Sequence, residues 1–506
     1  MKSFRFALVT LLLLTVMLPL SAQNFSGDRY CLTQEKSEWL IRYQAGEIPP
    51  VPKSAMTQYV PMSVKFVGDS DGSGYVNPTT FLTSMLLLND DFREMNIQFY
   101  IDGDIEYINN STYNDHTFTQ GRQMMGRYNV RNKFNTYVVE NPAGACGYYS
   151  PSGDAIALGK NCLGTGDRTW SHEVGHYFSL PHTFYGWEAV ELIDNIELTE
   201  RAQEFNFYNG RNVPVEKADS SNCAEAADGF CDTPPDYLME RWQCTNQGFY
   251  QDSLTDPDST RFAVPASNIM SYANDRCVNS FSEEQKAAMM TNLEGRIGLA
   301  DGAGAGAVAA NVDDLQLELP EDNATLPNSD FVQLTWNSVP NADFYVVQLN
   351  RSSNFNGSVS ISLMVADTFA IIDEGLAAES RYYWRVRPVN RFLVDSEFGE
   401  VWRFRNGEFP VATIDAALNA AITVAPNPVG GGSELRIDGR DLGQGGDLNY
   451  ELIDATGRTL LAREKLNVTA SGFSERIPTA GLPAGIYFLR IRLNEKLVTR
   501  RVLVRP

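Results

Sequence analysis

Three of the chain's four histidines, His172, His176 and His182, fall within eleven residues. The segment reads His172-Glu173-Val174-Gly175-His176-Tyr177-Phe178-Ser179-Leu180-Pro181-His182. Positions four apart on a helix lie on one face, one turn above the other. The imidazoles of His172 and His176 can therefore both reach one ion at about 2.0–2.1 Å. His182 is too far along to extend that face, so the helix is expected to end near Ser179 and the chain to turn back. Pro181 agrees, because a proline just past a helix end prevents continuation. Three protein ligands leave a fourth position for water, which marks a catalytic zinc site rather than a structural one. Glu173, next to the first ligand, is placed to take a proton from that water without occupying the metal. The chemistry implied is zinc-assisted hydrolysis. A nucleophilic serine or cysteine is disfavoured, since only His116 remains to activate it. In Tyr113-Asn114-Asp115-His116 that residue reads as a solvated loop histidine.

Such a site needs a frame. The 506 residues are too many for one core, and roughly 100–200 residues per domain gives about three. Val64-Lys65-Phe66-Val67, residues 97–101 and Tyr137-Val138-Val139 read as strands. Residues 80–95 place Phe81, Met85, Leu88 and Phe92 on one side of a helix. Alternating strands and helices predict an α/β domain over residues 58–300. A small-residue linker, 301–312, has no apolar face and marks a boundary. Beyond it the helical signal disappears. Residues 313–408 and 422–506 read as two all-β units, from runs such as Val332-Gln333-Leu334-Thr335-Trp336 and Tyr382-Tyr383-Trp384-Arg385-Val386-Arg387. No histidine or cysteine occurs after residue 277, so the chemistry belongs to the first domain.

The active-site segment, extended to Thr169-Trp170-Ser171 before it and Thr183-Phe184 after it, resembles metzincin zinc peptidases. The pappalysin branch, with its ulilysin-like and cytophagalysin-like members, is the most similar. The likeness spans residues 60–295. It includes Leu88-Asn89-Asp90-Asp91-Phe92-Arg93, Cys231-Asp232-Thr233-Pro234, Asn268-Ile269-Met270-Ser271-Tyr272, and Phe281-Ser282-Glu283-Glu284-Gln285. The implied fold is an α/β (α+β) metzincin-like catalytic domain followed by two all-β sandwich domains. The resemblance further implies that Met270 forms an apolar floor under the metal and that the Tyr272 hydroxyl helps stabilise the oxyanion. One position departs from the family pattern: Ser179 stands where glycine is usual. If the turn there needs a positive φ, serine costs roughly 1 kcal/mol or more.

Residues 1–22 read as a signal peptide. Lys2 and Arg5 precede an apolar run over residues 6–20, and Leu20-Ser21-Ala22 supplies a small-residue cleavage site. No second apolar run of about 20 residues follows, so the mature chain is expected to lack a transmembrane segment. Residues 23–57, with Pro49-Pro50-Val51-Pro52, read as a poorly structured prosegment. Seven cysteines in an exported chain leave at least one outside the disulfides, and the isolated Cys31 is the natural candidate. Its thiolate would reach the open zinc position and give latency, as in related enzymes. Cys146 and Cys162 flank a loop just before the active-site helix. By resemblance Cys277 pairs with Cys244, leaving Cys223 and Cys231; six cysteines nonetheless allow 15 connectivities.

The formal charge of −22 makes nucleic acid an improbable partner. Calcium is a second cofactor to consider, near Asp228 or Asp232 by resemblance. Asp69-Ser70-Asp71-Gly72-Ser73-Gly74 opens like a calcium loop but has Thr80 where the bidentate glutamate belongs, and so reads as a turn. Residues 313–408 resemble a fibronectin type III domain, its aromatics serving as core. Residues 422–506, with Pro426-Asn427-Pro428, Asp454-Ala455-Thr456-Gly457-Arg458 and Gly485-Ile486-Tyr487, resemble the sorting domain of type IX secretion. That implies release or attachment to the outer cell surface. The sequence thus reads as a monomeric zinc metalloendopeptidase acting on proteins or peptides. The alternative is an inactive zinc-containing surface adhesin.

Overall fold

The computed structural model describes residues 29–31 and 36–505, apart from 189–199, 297, 301–303, 327–331, 356–359, 373–375, 408–415, 428, 431, 455–458, 483–484 and 495. The signal-peptide expectation lies outside these residues. So do Pro428, Ala455 to Arg458 and the start of the linker.

The N-terminal domain is built on a mixed sheet. Its elements are β1 (Arg29–Cys31), α1 (Glu38–Gln44), β2 (Gln58–Gly68), α2 (Pro78–Phe92), β3 (Ile97–Ile101), β4 (Glu106–Asn109), α3 (Phe118–Tyr128), β5 (Phe134–Val139), β6 (Ala145–Ser150), β7 (Ala155–Gly159), α4 (Thr169–Tyr177) and α5 (Glu283–Gly295). The strand order is β1-β6-β7-β5-β2-β3, with β4 pairing the far end of β2. β7, β5, β2 and β3 run parallel, and β6, with β1 parallel to it, runs the other way beside β7. The central strands are buried almost throughout, as in a sheet covered on both faces. α2 begins with Asn77 accepting from the Thr79 amide and Pro78 in its first turn, then buries Phe81, Leu82, Met85, Leu88 and Phe92.

The expected poorly structured lead-in is instead partly ordered. β1 adds to the β6 edge in parallel, with Cys31 opposite Gly147. α1 is capped by Ser37 and buries Leu40. Gln44 donates to the Asp228 carbonyl, the Val51 amide donates to Thr291, and Lys36 lies in the field of Asp228, Glu188 and Glu216. A polar, proline-rich segment gives no such signal, because its order comes from the domain it lies on.

Two β-sandwiches follow. In the first, a three-stranded sheet (Leu317–Leu319, Val332–Trp336, Phe369–Ile372) faces a five-stranded one that includes Phe344–Asn350 and Arg381–Val389. Trp336 and Trp384 are buried between them. The second pairs Ile422–Ala425, Glu434–Arg440 and Gly472–Pro478 with a five-stranded sheet containing Gly485–Leu493 and Lys496–Arg505. The first sandwich does not stand apart. Phe344, Val346, Met364, Val389 and Val394 join the core of the N-terminal domain. Around them Gln98 donates to the Phe392 carbonyl, Tyr107 to that of Met364, and Gln348 to Thr79.

Candidate metal centre

α4 is buried along its whole length, and Asp167 accepts from the Thr169 amide at its start. The helix ends where expected. Phe178 and Leu180 donate back to the Val174 and Gly175 carbonyls, and Ser179 takes φ +75°. This left-handed residue reverses the chain and returns His182 to the helix face. Ser179 Oγ accepts from Asn292 Nδ2 at 3.0 Å, which partly offsets the strain.

The Nε2 atoms of His172 and His182 each lie 3.2 Å from His176 Nε2. These are not hydrogen bonds, because every Nδ1 already faces an acceptor. His172 faces the Ile269 carbonyl at 2.7 Å, His176 the Leu180 carbonyl at 2.7 Å, and His182 the Glu188 carboxylate at 3.2 Å. With protons on Nδ1, three Nε2 lone pairs point at one another. Two ligands about 2.0–2.1 Å from a tetrahedral ion stand about 3.3–3.4 Å apart. The donor set therefore fits a zinc-sized cation in both spacing and chemistry. Burial holds the His172 and His176 pKa values well below the ordinary imidazole range and brings His182 to about 3. Burial thus disfavours the charged form of all three, in the sense that ligation requires.

Cys31 completes the cluster. Its ligand atom and those of the three histidines lie within 4.8 Å of one another, all buried. Glu173 is fully buried beside them. Burial pushes its carboxyl up to about 8, opposed in part by the Cys31 thiol and the Tyr149 amide. The Tyr272 hydroxyl donates to the Cys31 carbonyl at 3.0 Å, and its ring packs 4.9 Å from that of His182.

Met270 is fully buried below the helix, where a Cβ at Gly175 would collide with its Sδ. The turn carrying it is tied to the third-ligand loop twice. The Thr183 amide donates to the Met270 carbonyl, and Asp236 accepts from both Thr183 Oγ1 (2.7 Å) and Ser271 Oγ (3.0 Å). Burial raises Asp236 to about 6. The sequence reading singled out neither Asp236 nor Glu188, since each acts through partners that only the fold supplies. Asp91 likewise accepts from Ser171 on α4 at 2.6 Å.

His116 is a correction. It is 3% exposed, with Nδ1 on the Tyr113 carbonyl and Nε2 on the Tyr148 hydroxyl. Polar neighbours in the sequence pointed to solvent, but Tyr148 arrives from β6 to cover it. The disulfides are Cys146–Cys162, Cys223–Cys231 and Cys244–Cys277. Residues 69–74 form a turn between β2 and α2.

Residues 423–505 match the family described as the secretion system C-terminal sorting domain. Over 256 residues, 47% of this chain and 75% of the relative, the sequence is 25% identical to an extracellular metalloprotease of Pyricularia oryzae. Among solved structures it is similar to promirolysin of Tannerella forsythia, over 54% of this chain and 95% of that one, at 17% identity and a TM-score of 0.37. A fibronectin type III-like protein of Clostridium thermocellum matches over 21% of this chain and 97% of its own, at 20% identity and a TM-score of 0.15. The architecture is an α/β domain that carries the metal centre, a β-sandwich, and a second sandwich that coincides with the sorting-domain match. The protein is secreted or held at the cell surface.

Proposed function

We propose that the chain is a zinc metalloendopeptidase of pappalysin type, latent while its leader remains attached. One observation carries the reading: three imidazoles converge, with two Nε2–Nε2 separations of 3.2 Å and every Nδ1 facing an acceptor, and the buried carboxyl group of Glu173 stands beside them. The extracellular metalloprotease relative agrees with it.

His172, His176 and His182 would hold the zinc, which when bound lowers the pKa of a water and polarises the scissile carbonyl. Glu173 takes the proton of the attacking water and returns it to the leaving amine. A carboxyl whose pKa is raised by burial suits a group that must hold a proton between two steps. The Tyr272 hydroxyl donates to the carbonyl oxygen as charge develops there, a bond of the kind it makes with the Cys31 carbonyl. Met270 supports the ligands from below. Protein or peptide chains are the substrates, and type IX secretion machinery reads the sorting domain.

Latency follows from β1. Its parallel pairing with β6 carries the Cys31 thiol into the ligand cluster. There the thiolate would fill the fourth ligand position and keep water from Glu173.

Leader-free protein should cleave a peptide library, stop on chelation and recover with zinc. Glu173→Ala should lower kcat by about 10²–10⁴-fold while keeping the metal. Wild type that holds zinc yet cleaves no better than Glu173→Ala would overturn the reading. Unprocessed Cys31→Ala should cleave where unprocessed wild type does not; equal latency would sink the switch.

A further inference from the structure

The three imidazoles are not held alike. His172 and His176 sit on α4, and each Nδ1 meets a main-chain carbonyl that the fold fixes. His182 lies beyond the helix, in a loop closed by turns from Tyr185 to His182 and from Trp187 to Phe184. Its Nδ1 meets a side chain, Glu188 Oε1, at 3.2 Å. Glu188 is itself constrained. Its side chain is 6% exposed, and its Oε2 accepts from the Gly186 amide at 2.7 Å. Trp187, the preceding residue, stacks on Tyr237 at 4.6 Å and anchors this end of the loop in the core. Phe184 stacks on the His182 ring at 4.6 Å, which sets the ring plane but not its rotation within that plane. The hydrogen bond to Glu188 sets the rotation and the tautomer.

We propose that Glu188 is the positioning residue of the metal centre: it accepts the Nδ1 proton of His182, fixes the rotation of that ring and aims Nε2 at the ion. This rests on the zinc reading above. His182 is thus the one ligand aimed by a side chain rather than by the main chain, and its geometry depends on that side chain staying in place. The sequence offers no hint of this role, because Glu188 lies six residues past the last ligand, outside the motif.

The test is zinc affinity rather than turnover. Full-length protein is stripped of metal and titrated with zinc against a chromophoric chelator, and cobalt is substituted to read ligand geometry from its visible spectrum. Glu188→Ala should lose about 10–100-fold in zinc affinity and shift the cobalt bands. Glu188→Gln, which keeps an oxygen acceptor for the Nδ1 proton, should recover most of the affinity and the wild-type cobalt spectrum. Glu216→Gln, a buried carboxylate that bonds no ligand, should bind zinc like wild type. Glu188→Ala affinity within twofold of wild type, with an unchanged cobalt spectrum, would overturn the proposal. Equal losses in Glu188→Ala and Glu216→Gln would also overturn it, as a general effect of buried charge. If Glu188→Ala does not fold, Glu188→Leu, which keeps the bulk and removes the acceptor, replaces it under the same criteria. Wild type that takes up no zinc at all would instead bring down the zinc reading itself.

Discussion

Ser179 shows how one residue can carry opposed terms. At φ +75° a side chain costs roughly 1–2 kcal/mol, and the bond from Asn292 returns about 0.5–1.5. Ser179→Ala keeps the strain and loses the bond, so it should destabilise by about 1 kcal/mol. Ser179→Gly loses both and should stay within about 1 kcal/mol of wild type. Chemical denaturation of the pair distinguishes them, and equal losses would contradict the account. Lys65 is a second case. It is fully buried on β2, donating to Ser63 Oγ and Asn135 Oδ1, and burial lowers its pKa to about 7. The unfolded chain then binds more protons between about pH 7 and the ordinary lysine value near 10.5. This group's contribution to stability therefore rises with pH across that window, by at most about 1.4 kcal/mol per pH unit. The difference in unfolding free energy between wild type and Lys65→Met should show that slope; a flat difference would refute it. The ligands and Glu173 were readable because the motif packs them into eleven residues. Glu188, Asp236 and the environment of His116 were not, since burial and partners are properties of the fold.

At the scale of elements, α4 depends on a missing side chain. Gly175 faces Met270 and Phe281, and Met270 is fully buried. Its amide is held by Asn268 Oδ1 at 2.8 Å and its carbonyl by the Thr183 amide. Alanine in a helix gains up to about 1 kcal/mol over glycine, whereas overpacking a filled core costs about 1–3. Overpacking should win. Gly175→Ala is expected to lower stability by about 1–2 kcal/mol in thermal denaturation and to weaken zinc binding, because the floor under the ligands moves. A more stable variant with unchanged affinity would show that Met270 yields freely. Three strands of this sheet, β2, β3 and β5, and the long helix α2 followed from the residue pattern. β1 did not: three residues have no period to read, and their pairing is decided by the open edge of β6.

Across the whole molecule, the first sandwich is part of the N-terminal domain's core rather than an appendage. Phe392 packs on Tyr100 with centroids 4.5 Å apart, and the Ile101 amide donates to the Arg391 carbonyl. A chain ending at residue 300 would leave Tyr59, Tyr100, Tyr107 and the outer face of α2 in water. It should melt several degrees below a chain ending near residue 410, at about 2–4 °C per kcal/mol lost, and should aggregate sooner. Equal melting temperatures would show the seam to be incidental. The sequence marked the glycine-alanine linker as a place to cut because composition reports chain stiffness, not what the flanking surfaces touch.

That buried seam bears on how such a chain can be inherited. Recombination at the linker would look harmless in the genetic text, yet it would separate two surfaces that fit only each other. The N-terminal domain and the sandwich are thus expected to travel as one heritable unit. The exchangeable boundary should lie further on, ahead of the sorting domain.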